Sequence, residues 1–130
     1  MQTFLNGLRT NYPATIERFV QLCIVEPDSE HVKAWGRKIL ARATADAAIA
    51  LRILGSTVDV TAELDGVQQP TLVLHGELDQ IVQLERGRAL AASLKDAELQ
   101  VLQQAGHVPT LTQPKQVAES IRQFLHRREA

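Results

Sequence analysis

The chain has 130 residues, 45% of them hydrophobic and 22% charged, with 14 basic against 15 acidic side chains and a formal net charge of -1. A chain of this length is one domain's worth of protein that buries about two-thirds of its unfolded surface, and its composition excludes the disordered and disulfide-stapled classes. The charge balance gives no basis for broad nucleic-acid binding, no apolar run reaches the length of a membrane span, and the lone Cys23 forms no internal disulfide, so neither nucleic acid nor membrane is an expected partner.

In chain order, Ile16, Phe19, Val20, Cys23 and Ile24 fall at helical spacing and make one apolar stripe, which Pro27 ends. Asp28 or Ser29 is placed to cap a second helix, whose Val32, Trp35, Ile39 and Leu40 repeat the pattern. Thr44 is placed to cap a third, alanine-rich helix ending at Gly55. Residues 57–69 read as an irregular connection with one helical turn over 59–64. At Pro70 the pattern changes. Thr71-Leu72-Val73-Leu74-His75 is short, apolar and partly β-branched, as suits a strand of a parallel sheet. Residues 84–94 read as a helix with Leu90, Ala91 and Leu94 on one side, and 98–102 as a second strand whose alternation places it near an edge. Pro114 opens a last helix with Val117, Ile121, Phe124 and Leu125 as its buried stripe. Single helices between strands imply a right-handed parallel crossover. The fold class is therefore α/β, with a helical segment over 1–56 and a β-α-β-α unit over 57–130. The start Met1-Gln2-Thr3-Phe4 lacks the basic and apolar regions of a secretory leader, and the chain is read as cytoplasmic.

In an open α/β sheet, functional side chains lie beyond the carboxyl ends of the strands. Asp79 follows the first strand through Gly76, and His107 follows the second through Ala105-Gly106. A carboxylate that accepts the Nδ1 proton of an imidazole fixes its tautomer and leaves Nε2 to take a proton from a hydroxyl nucleophile. The plain alternative is that Asp79 caps the turn that follows it and His107 caps the last strand. His75, inside the first strand, reads as structural. No His, Cys, Asp and Glu cluster has metal-ligand spacing and no glycine-rich phosphate loop occurs, so no metal or cofactor is expected.

The order Asp59, Leu64, Pro70 to Asp79, Val82, Ala105-Gly106-His107-Val108-Pro109, Pro114 and Phe124-Leu125 resembles the carboxyl-terminal third of an α/β-hydrolase. The helical segment before it resembles the cap of such enzymes. Within that superfamily, residues 12–20 with their Thr-Ile-Glu-Arg-Phe core resemble the cap of the pimeloyl-[acyl-carrier-protein] methyl ester esterases, and less closely that of 3-oxoadipate enol-lactonases. The resemblance implies His107 as general base and then acid, Asp79 as its orienting carboxylate, and Phe19 and Arg18 as substrate-binding residues. Phe19 would line the acyl pocket, and Arg18, Lys33 and Arg37 would receive an acidic carrier protein. Core packing for Phe19 and a solvated helix face for the basic residues are the ordinary alternatives.

The sequence departs from the family in one large respect. It contains no G-x-S-x-G, and none of Ser29, Ser56, Ser93 and Ser120 sits between glycines on a strand-to-helix turn. Six strands and the oxyanion loop of the family have no counterpart. The expectation is a carboxyl-terminal piece of a serine esterase, inert alone. The alternatives are a non-catalytic assembly module, or half of a split enzyme. An open strand edge at Leu72, Val73 and Leu74, with Phe19, Trp35 and Ile39 lacking a core to cover, predicts a homo-oligomer, most simply a dimer.

Overall fold

A computed structural model describes residues 2–129 as seven α-helices, one 3₁₀ turn and two strands. Four helices come first: α1 (Gln2–Thr10), α2 (Tyr12–Cys23), α3 (Glu30–Leu40) and α4 (Ala45–Thr57). Asn11 caps α2 by accepting from the Ala14 amide at 3.2 Å, and Thr44 caps α4 by accepting from the Ala47 amide at 3.2 Å. Ser29 occupies the cap position of α3 but accepts no amide with its side chain, while Asp28 turns the chain at φ 58°. Helix α1 was not predicted from the pattern. It packs on α2 where Gly7 faces Thr15 with no room for a side chain.

The 3₁₀ turn Thr61–Gly66 leads to β1 (Thr71–Gly76), α5 (Leu84–Ser93), β2 (Ala97–Leu102), the short α6 (Pro109–Thr112) and α7 (Pro114–Glu129). β1 and β2 pair in parallel with Thr71 opposite Ala97 and Gly76 opposite Leu102, which puts both carboxyl ends at one edge. The fold is the α/β arrangement of the sequence reading, with one crossover helix between two parallel strands.

Two apolar cores form. The larger joins Leu5, Leu8, Ile16, Val20, Cys23, Ile24, Val32 and Ile49 of the helical segment; the smaller joins Leu102, Ala105 and Val117, with Leu74 against them. Ile81 and Val108, which flank the two site turns, pack against the larger core, so the turns sit on the seam between the halves.

Several expectations fail in instructive ways. The third helix runs through Gly55 to Thr57, because no left-handed residue is used to stop it and Val58 donates its amide to Leu54 instead. Trp35 and Ile39 are exposed as expected, Trp35 by 53%, but Phe19, expected to lack a core as they do, packs against the larger one, and Leu51 and Leu54 on α4 are exposed by 71% and 60%. No described element covers those faces. Leu90, Ile121 and Leu125 are likewise exposed, and the buried side of α7 is Val117, Ser120 and Phe124. Ser120 fits there because its hydroxyl donates to the Gln116 carbonyl at 2.9 Å.

Candidate active site

The turns after β1 and β2 continue the sheet pairing beyond the strands. The Glu77 amide donates to the Leu102 carbonyl at 2.9 Å and the Leu78 amide to the Ala105 carbonyl at 2.8 Å. Gln104, at φ 55°, reverses the second turn, and its amide donates to Glu77 Oε2 at 3.1 Å. The two turns are thereby zipped together, and their side chains meet.

Asp79 divides its two oxygens between two tasks. Oδ1 accepts from the amides of Ile81 at 2.8 Å and Val82 at 2.9 Å, and Oδ2 lies 2.9 Å from His107 Nδ1. The turn-capping reading of Asp79 and the pairing reading therefore both hold, one on each oxygen. Its side chain is only 6% exposed, that of His107 32%. Burial by itself pushes the Asp79 carboxyl up, but the Val82 and Ile81 amides and the His107 imidazole together outweigh it and hold the group below its ordinary value. The carboxylate is thus ionised at neutral pH and only accepts, so the Nδ1 of His107 carries the proton. Nε2 has no hydrogen-bond partner among the described residues and is available as a base.

His75 supports the same carboxylate from behind. Its Nε2 donates to the Val82 carbonyl at 2.9 Å and lies 3.6 Å from Asp79 Oδ2. That bond closes the turn Asp79 caps, a structural role as read from the sequence.

A family model described as serine aminopeptidase, S33, matches residues 9–111. The chain belongs to this α/β-hydrolase family. The pimeloyl-[acyl-carrier protein] methyl ester esterase of Nitrosomonas europaea is 34% identical over 118 residues, which are 87% of this chain and 46% of that protein. The protein of that name from Nitrosospira multiformis is 30% identical over 128 residues, 95% of this chain and 49% of that one. An esterase from Exiguobacterium antarcticum shares the fold at a TM-score of 0.86 and 18% identity, over 96% of this chain and 47% of its own. The chain spans about half the length of the curated relatives it matches.

In this α/β-hydrolase the side chains of the other singled-out residues make no hydrogen bond or ion pair to Asp79 or His107. Phe19 is half-buried and packs on Phe4 with ring centroids 5.7 Å apart. Arg18 is exposed on α2 and makes no ion pair among the described residues. Arg37 is not a free cation: its guanidinium holds Glu17 at 2.6 Å and Glu30 at 2.6 Å. The basic face of α2 and α3 is therefore interleaved with acid. All four serine hydroxyls donate to nearby backbone carbonyls, Ser56 to Ile53 at 2.7 Å and Ser93 to Ala89 at 2.8 Å among them. None bonds to His107. Burial, and then the Asp79 charge, push the Cys23 thiol up to about 11, which leaves it protonated and a poor nucleophile.

One residue at the site was not read from the sequence. Glu26, between α2 and α3, is 6% exposed and accepts from the Gly106 amide at 2.8 Å. An apolar run that ends in Glu-Pro was the available signal, since proline holds the residue before it extended. Among the described residues no helix is long and apolar enough to cross a membrane, and no group of three or more His, Cys, Asp and Glu is placed to hold a metal ion.

Proposed function

We propose that this chain carries the acid and base of a carboxylic ester hydrolase, with residues 1–56 as cap and 57–130 as a piece of the catalytic core. The 2.9 Å contact between Asp79 Oδ2 and His107 Nδ1, with Nε2 left unengaged, carries this reading. Nε2 takes the proton of a serine hydroxyl as its oxygen bonds to the ester carbonyl carbon, then returns that proton to the departing alkoxide. Water repeats the cycle on the acyl-serine. The serine and the oxyanion donors come from a strand-and-elbow segment outside these 130 residues, in the same polypeptide or a second one. The names of the relatives suggest a methyl ester borne on an acyl carrier protein as substrate class, with Phe19 toward the acyl chain and Arg18 toward the carrier.

Two outcomes are expected. Purified chain should hydrolyse activated esters no faster than its His107→Ala variant, because an imidazole without a nucleophile assists only water. Adding the amino-terminal half of the Nitrosomonas europaea relative should restore turnover and phosphonate labelling of the elbow serine, and His107→Ala should abolish both. Labelling of any serine within this chain, or a stable complex of the halves that stays inert, would overturn the proposal.

A third expected outcome concerns association. The open edge of β1 and the exposed apolar side chains of α3 and α4 are the surfaces such a segment would cover. In its absence a second copy is expected to pair there, giving a dimer at micromolar concentration in sedimentation. The added half should convert that dimer to a one-to-one complex. A compact monomer in the first experiment defeats this expectation.

A further inference from the structure

Glu26 is a buried carboxylate with no cation among its recorded partners, a placement that is costly unless hydrogen bonds replace the lost water. Three donors do so. Oε1 accepts from the Gly106 amide at 2.8 Å and from the Thr112 hydroxyl at 2.5 Å, and Oε2 accepts from the Val25 amide at 3.1 Å. The Thr112 hydroxyl has one hydrogen, and the carbonyl of Val108, at 3.3 Å, is the poorer acceptor for it. Two of the three donors bracket His107: Gly106 precedes it, and Thr112 ends the short helix α6 that follows it. The His107 amide donates to the Cys23 carbonyl at 2.9 Å, so the last residue of α2 holds the next link of the same turn.

Space confirms how tightly the turn is gripped. A Cβ on Gly106 would lie 2.8 Å from the Cys23 carbonyl oxygen and 3.2 Å from Glu26 Oε2. The glycine allows close contact with the helical segment.

We propose that Glu26 is a positioning residue for the Asp79–His107 pair, clamping the 105–107 turn to the end of α2 so that the imidazole meets the carboxylate. The setting of the base then depends on the seating of the helical segment. This rests on the reading of the pair as catalytic, but the clamp is testable without catalysis. Errors of about 1 Å in placing a catalytic group cost on the order of a hundredfold in rate, which is why a second carboxylate at this point matters.

The test is the proton NMR spectrum of the full chain. A His107 Nδ1 proton held by a carboxylate should give a downfield, slowly exchanging resonance. Glu26→Ala is expected to broaden it away and to speed exchange of the Gly106 amide by about tenfold or more, the loss of a hydrogen bond to a charged group. Glu26→Gln, whose amide oxygen still accepts from Gly106 and Thr112, should retain the resonance. Phe124→Ala, a truncation of a buried side chain on α7 that takes no part in the clamp, should lower the melting temperature and retain it too. An unchanged resonance in folded Glu26→Ala, or its equal loss in Phe124→Ala, overturns the proposal. Should Glu26→Ala not fold, Thr112→Val removes one clamp donor alone; broadening there supports the clamp and an unchanged spectrum overturns it. Since no ester is turned over, failure of the reconstituted hydrolysis leaves this result standing. In the reconstituted enzyme, Glu26→Ala should lower kcat by roughly tenfold to a hundredfold with KM little changed.

Discussion

Asp79→Asn in the reconstituted hydrolase is expected to lower kcat by about ten-thousandfold while the chain remains folded. The Asn carbonyl oxygen can still accept from the Ile81 and Val82 amides, so the turn keeps its cap. Its amide nitrogen then faces His107 Nδ1, which must accept instead of donate. That moves the ring proton to Nε2, the atom that has to be empty to deprotonate the serine. The same substitution separates structure from chemistry on the pH axis. The Asp79 carboxyl is held below its ordinary value of 3.8, so its bonds contribute stability that is fully present above that pH and is lost as pH falls through the lower folded value. Denaturation midpoints followed from neutral pH downward should therefore show an acid decline in the native chain that is shallower in Asp79→Asn. An Asn variant with near-native turnover in the reconstituted enzyme would remove Asp79 from the mechanism.

The sequence carried the site further than it carried the packing around it. Asp79 and His107 were legible because parallel strands joined by one helix deliver their carboxyl ends to a common edge, and the residues just past those ends are few. Glu26 was not, because a charged residue between two helices looks solvated, and its partners lie 80 and 86 positions away. Periodicity identifies which side of a helix is apolar and says nothing about what covers it. Ile121 and Leu125 fit the buried stripe of α7 by pattern, yet both are exposed where no described element packs, whereas Trp35 and Ile39 are exposed as expected of a stripe with no core to cover. Helix α1 escaped notice because only Leu5 and Leu8 are buried in it. Helix α6, at Pro109–Thr112, is too short to show a period. Phe19 is a case where one residue type fits two roles: it packs on Phe4 and against the larger core.

Gly76→Ala is expected to cost about 3 kcal/mol or more, a large part of the 5–15 kcal/mol that holds a typical domain together. Gly76 closes β1 and opens the turn that leads to Asp79. No glycine in the described residues has a positive φ, so the requirement is space. An added Cβ would lie 2.1 Å from the Gly106 carbonyl oxygen and 2.5 Å from that of Ala105, both backbone atoms of the facing turn. Those atoms cannot yield as a flexible side chain would, since the Gly106 amide is bound to Glu26, the His107 amide to Cys23, and the Ala105 carbonyl to the Leu78 amide. The turns must part instead. Parting breaks the Leu78 bond and draws Asp79 away from His107, so stability and the downfield imidazole proton should be lost together. The melting temperature is expected to fall by roughly 10 °C. Gly55→Ala is the matched control: nothing lies within 4 Å of its added Cβ, and it sits inside α4. There alanine should stabilise by about 0.5–1 kcal/mol. A Gly76→Ala chain that melts with the native one would mean that the two turns are not in contact as described, and the pairing of Asp79 with His107 would fall with them.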